Sequence, residues 1–112
     1  MIVESTNYFA RQGLAQAVLE RRREGCRLRE MMGLPPGRVF VNRGGAGPDV
    51  RWECSFADEA AYQADLAARD KSPAFAAQRQ EMGALLERFE RHIFELDDET
   101  CLTSQGVLEQ TP

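Results

Sequence analysis

Residues 50–56, VRWECSF, alternate without a break: Val50, Trp52, Cys54 and Phe56 against Arg51, Glu53 and Ser55. A period of two sends successive side chains to opposite faces of a strand. One face of this strand belongs in a core and the other is polar. The rest of the chain must therefore supply a sheet covered on one side, and the layers to cover it.

The remaining segments fit that demand. MIVESTNYF is rich in β-branched and aromatic residues and reads as a first strand, GRVFVNR as a second and RHIFEL as a fourth. LAQAVLERRREGCRLREMMG reads as a long helix, with Leu14, Val18, Gly25, Leu28 and Met32 on its inner face. Gly25 on that face would permit close approach to the sheet, Gly33 is a C-cap, and Pro35 and Pro36 stop the helix. ADEAAYQADLAARD is a second helix, capped by Asp58 or Ser55, with an inner stripe of Ala57, Ala60, Ala61, Ala64, Ala67 and Ala68. Ser72 before Pro73 starts a third, PAFAAQRQEMGALLERFE, with Phe75, Met82, Leu85, Leu86 and Phe89 on one face. Residues 98–112 are polar and aperiodic and read as a tail. The order β-α-β-β-α(α)-β predicts one ferredoxin-like α+β sandwich over residues 1–97, with a four-stranded antiparallel sheet.

Composition narrows the function classes. A formal charge of −4 argues against a nucleic-acid partner. Lys71 is the only lysine, and its polar surroundings do not suit a lowered pKa. Cys26, Cys54 and Cys101 are far apart and form neither a disulfide framework nor a zinc site. With His92 as the only histidine, a multi-histidine metal site within one protomer is excluded. No apolar run is long enough to span a membrane, and the N-terminus lacks a basic, cleavable leader pattern, so a cytoplasmic protein is expected.

VNRGGAGPDVRW, residues 41–52, invites comparison with a phosphate-binding loop. It has no lysine and a strand follows it, so the P-loop pattern fails, and Val50 occupies the third glycine's place in a dinucleotide fingerprint. Gly44, Gly45 and Gly47 are expected instead to supply the positive backbone angles of a hairpin turn.

With Val50, Trp52, Cys54 and Phe56 toward the helices, the matching set on the first strand is Val3, Ser5, Asn7 and Phe9. The second face then holds Glu4, Thr6, Tyr8, Phe40, Asn42, Arg51, Glu53 and Ser55, joined by Ile93 and Glu95. His92 alternates with Phe94 and Leu96 toward the helices, in a structural role. Two such second faces closing in a two-fold dimer would line a cavity for a small organic ligand. Its candidate catalytic residues are Glu4, Arg51 and Glu53 as an acid/base group and Tyr8 as a hydrogen-bond donor to an enolate or quinone oxygen, with Thr6, Phe40, Asn42 and Ser55 as candidate substrate contacts. The same polar groups would also serve as a network that fixes strand register. Arg21, Arg22, Arg23, Arg27 and Arg29 alternate with Glu20, Glu24 and Glu30 and read as a solvated helix face. Trp52 reads as core.

Four motifs carry a family resemblance. MIVESTNYFARQG, with Met1, Ile2, Glu4, Tyr8 and Gly13, resembles the opening of NIPSNAP-family domains. RWECSFADEAAY resembles their strand leading into an acidic helix, DKSPAFAAQRQEM their step between two helices, and ERHIFEL their closing strand. Ser5, Thr6 and Ser72 depart from the usual leucine, arginine and aspartate. The resemblance covers about residues 1–97 and implies the dimeric α+β barrel superfamily, which also holds antibiotic-biosynthesis-type monooxygenases, haem-degrading enzymes and isomerases. It implies a homodimer and a cofactor-free monooxygenase or isomerase, or a non-enzymatic ligand-binding or scaffold protein. No cofactor is expected: the stretch where haem-degrading relatives carry an axial histidine offers Gln78 and Arg79 here.

Overall fold

The computed structural model describes residues 1–100; of the expected tail, residues 101–112 lie outside that range. The chain runs β1 (Ile2–Ala10), α1 (Ala15–Met31), β2 (Arg38–Val41), β3 (Val50–Phe56), α2 (Glu59–Asp70), α3 (Pro73–Gly83) and β4 (Leu86–Glu95). The four strands form one antiparallel sheet in the order β2-β3-β1-β4, the predicted α+β sandwich. α1 lies over β1 and β3, α2 over β3, and α3 against α1. No helix among the described residues is long and apolar enough to cross a membrane.

Local chemistry sets the element ends. Gly33, at φ +78°, follows α1. The Asp58 carboxylate accepts the Ala61 amide at the start of α2, and the Ser72 hydroxyl accepts the Phe75 amide at the start of α3. α3 ends at Gly83, seven residues short of the predicted helix, and Leu86–Phe89 open β4 instead. Helical and strand spacing overlap in this short apolar run, and β4 wins because it gains a full ladder against β1.

Register corrects the predicted faces. β1 pairs Glu4 with Cys54, Thr6 with Trp52 and Tyr8 with Val50. Residues directly opposite share a face, so Glu4, Thr6 and Tyr8 point toward the helices with the apolar side of β3. Ser5 and Asn7, opposite Glu53 and Arg51, lie on the open face. Ile93 and Glu95, opposite Glu4 and Ile2, belong to the helix side, while His92 and Phe94 belong to the open side.

Two helices also differ from expectation. α1 buries Val18, Leu19, Arg22, Gly25 and Arg29, so two arginines of the expected solvated face are interior. Their positions, 18-22-25-29, form one helical stripe. α2 buries Tyr62, Asp65 and Arg69, and the stripe of Ala57, Ala60, Ala61, Ala64 and Ala67 faces outward. Alanine offers little area to bury, whereas Tyr62 packs its ring on Phe56 at 5.2 Å.

Candidate functional site

The helix side of the sheet carries a buried ionic network built from three elements. From β1, Glu4 is 1 % exposed and accepts two hydrogen bonds from the Arg69 guanidinium of α2. Arg69 Nε donates to Asp65 Oδ1 at 2.7 Å, one turn earlier on the same helix. Asp65 in turn accepts Arg29 Nη2 at 2.7 Å and Nη1 at 3.3 Å from α1. Arg29 is fully buried, and its Nε donates to the Pro35 carbonyl at 2.7 Å. Burial pulls the Arg69 pKa down, but hydrogen bonds and charge from Glu4 and Asp65 outweigh it and raise the pKa above the ordinary arginine value. On β4, Arg91 approaches Glu4 from the sheet edge, with Nε 3.3 Å from Oε2.

Beside this network lies a cavity of about 300 Å³ between the sheet and the helices. Thr6, Tyr8 and Trp52 form part of its sheet wall, Phe75 and Met82 its α3 wall, and Phe89 its β4 edge. Arg22 reaches in from α1 and donates from Nη1 to Tyr8 Oη at 2.8 Å. Thr6 Oγ1 donates to the same phenol oxygen at 2.9 Å. The Arg22 and Arg29 guanidinium carbons each lie 4.9 Å from the Trp52 ring centre, within cation–π range. Trp52 Nε1 donates to the Pro36 carbonyl, which fixes the indole.

The eight residues proposed from the sequence do not converge within one protomer. Glu4, Thr6 and Tyr8 line the cavity. Arg51, Glu53, Ser55 and Phe40 lie on the opposite, open face, by their register with Asn7, Ser5, Val3 and Arg51. There Arg51 donates to Glu53 Oε2 through Nε at 2.9 Å and Nη2 at 2.6 Å. Asn42 turns into its own loop: it donates to the Pro48 carbonyl at 2.9 Å and accepts the Gly44 amide at 2.6 Å. Gly45 is the only glycine of that loop at positive φ, +79°. His92 is exposed, 3.5 Å from Glu90.

Arg22, Arg29, Asp65 and Arg69 are the residues that the sequence reading missed. Their signal was spacing: 18-22-25-29 on α1 and 62-65-69 on α2 each trace one face. Burial also raises the Cys54 pKa, and Arg29 opposes that shift only in part. Cys54 is thus a protonated thiol packed in the core. Among the described residues no group of three or more His, Cys, Asp or Glu side chains is placed to hold a metal ion.

No protein-family model matches the chain, and no curated protein matches it. Its fold does match solved structures. A NIPSNAP family protein from Agrobacterium tumefaciens aligns with a TM-score of 0.70 and 22% identity, over 90% of this chain and 97% of that one. An antibiotic biosynthesis monooxygenase aligns with a TM-score of 0.66 and 15% identity, over 87% of this chain and 99% of that one. A dimeric protein of unknown function with a ferredoxin-like fold from Bacteroides fragilis aligns with a TM-score of 0.65 and 13% identity, over 85% and 95% of the two chains. The chain therefore has a NIPSNAP-like domain fold, the ferredoxin-like α+β sandwich that these proteins share.

Proposed function

We propose that this protein binds a small organic molecule in the cavity between its sheet and helices, and acts as a homodimer joined through the open sheet face. The cavity carries the reading. Its volume suits a small ligand, Trp52, Phe75, Met82, Leu86 and Phe89 give it apolar walls, and Arg22 and Thr6 converge on the Tyr8 phenol. In the enzyme form of the proposal, Tyr8 offers a hydrogen bond to a substrate oxygen on which charge develops, in cofactor-free monooxygenation or isomerisation. Glu4, held by Arg69 and Arg91, keeps the cavity's arginines in place. The alternative is binding without turnover, in a ligand-binding or scaffold protein with the same dimer.

The open face supports the dimer. Phe40 is 41 % and Phe94 53 % exposed there, on the same face as the Arg51–Glu53 and Arg88–Glu90 ion pairs. The monooxygenase and the dimeric protein of the same fold lend the proposal its chemistry and its assembly. Arg51, Glu53 and Ser55 then belong to the dimer face.

Amide chemical-shift mapping with a library of small aromatic compounds tests the site. Shifts should cluster at Thr6, Tyr8, Met82 and Phe89. Shifts confined to the open face, or none, would overturn the cavity reading. Light scattering should give twice the protomer mass at micromolar concentration, and a monomer would remove the dimer.

A further inference from the structure

Resting on that cavity reading, we infer that the ligand is an organic anion: an acidic oxygen on an apolar body, with the charge docked on Arg22. Three buried guanidinium groups, Arg22, Arg29 and Arg69, face only two buried carboxylates, Glu4 and Asp65. Arg29 and Arg69 use both. Arg22 is 9 % exposed and has no carboxylate partner among the described residues. Its one hydrogen bond is to the Tyr8 hydroxyl, and its Nε has no partner. The other orphan buried side-chain atom among the described residues, Asn7 Oδ1, is a neutral acceptor on the opposite face. A desolvated charge without a counter-ion is unfavourable, and a bound anion removes that deficit.

Two further features point the same way. α1 makes room for the guanidinium at Gly25, where a Cβ would lie 2.5 Å from Arg22 Nη2 and 3.1 Å from Gln78 Nε2. Around the cavity Arg22, Arg29, Arg69, Arg79 and Arg91 stand against two carboxylates, Glu4 in the lining and Asp65 behind it, a field that draws in anions. Trp52, Phe75, Met82, Leu86 and Phe89 leave the rest of the ligand an apolar surround.

The test is calorimetric titration with matched pairs: 1-naphthoate against 1-naphthamide, and benzoate against benzamide. A charge-assisted contact is expected to favour each carboxylate by about tenfold or more. Arg22→Met should bring each pair within about twofold, while Arg22→Lys should keep a several-fold preference. Gly25→Ala, which displaces the guanidinium without removing it, should also erase the preference and covers the case in which Arg22→Met does not fold. If wild type binds acid and amide equally, or Arg22→Met keeps the preference, the anion inference falls and the cavity reading stands. If neither member of any pair binds wild type, both fall.

Discussion

The two faces of the sheet use the same residue types to opposite ends. On the helix side, Glu4, Asp65, Arg29 and Arg69 are almost wholly removed from water and hold one another through five charge-assisted hydrogen bonds that span β1, α1 and α2. On the open side, Arg51 pairs with Glu53 and Arg88 with Glu90, each within a single strand and each partly in solvent. In water the attraction of a pair is small, and both partners remain solvated when it breaks. In the interior the pair itself adds little net stability, yet the loss of one member strands its partner. The difference lies in what remains after a break.

Asp65→Ala should therefore show the largest effect. It leaves Arg29 without its carboxylate and Arg69 without half of its partners. A loss of about 3–5 kcal/mol is expected by chemical denaturation. A loss below about 1 kcal/mol would mean that water takes over the guanidinium groups and that the helix-side network is no drier than the open face. Arg51→Ala, its counterpart on the open side, should cost less than about 1 kcal/mol in the monomeric unfolding step. A larger loss that grows with protein concentration would instead tie Arg51 to the dimer.

The same contrast explains what could be read from the sequence. β3 was legible because its apolar side chains bury themselves without help from elsewhere, so Val50, Trp52, Cys54 and Phe56 declare their face. The order of elements and the sheet followed from such local signals, as did the caps at Asp58 and Ser72. In β1 the pairing register reverses the faces that hydropathy indicates. Hydropathy turns Val3 and Phe9 inward, and nothing within β1 indicates that Glu4 is buried. Its partner Arg69 lies 65 residues away, and only that partner makes the carboxylate tolerable in the interior. Arg22 and Arg29 read as solvated because the groups that hold them, Tyr8 and Asp65, likewise lie on other elements. Of the candidate site, Thr6 and Tyr8 are legible as polar groups of one strand face; Arg22 and Arg69 fall on the buried stripes of their helices, but their charge marks those positions as solvated until the contacts that hold them are known.

Acid titration sharpens the comparison with the smallest effect. The Glu90 carboxyl on the open face is held below its ordinary value, first by the hydrogen bond from Asn7, then by those from Arg88 and His92. A carboxylate with a depressed folded-state pKa adds stability above its unfolded pKa, and that stability is lost as pH falls through the folded value. Glu90→Gln should therefore be slightly less stable than wild type near neutral pH, and the gap should close as acid protonates Glu90 in the native protein. Denaturant midpoints for the two proteins, measured from neutral pH down to about pH 3, give the result directly, since the unfolded carboxyl titrates near pH ~4.3. A gap that persists in acid would show that Glu90 acts through its shape and its contact with Asn7 rather than through its charge, and would leave the open face with less electrostatic character than its ion pairs suggest.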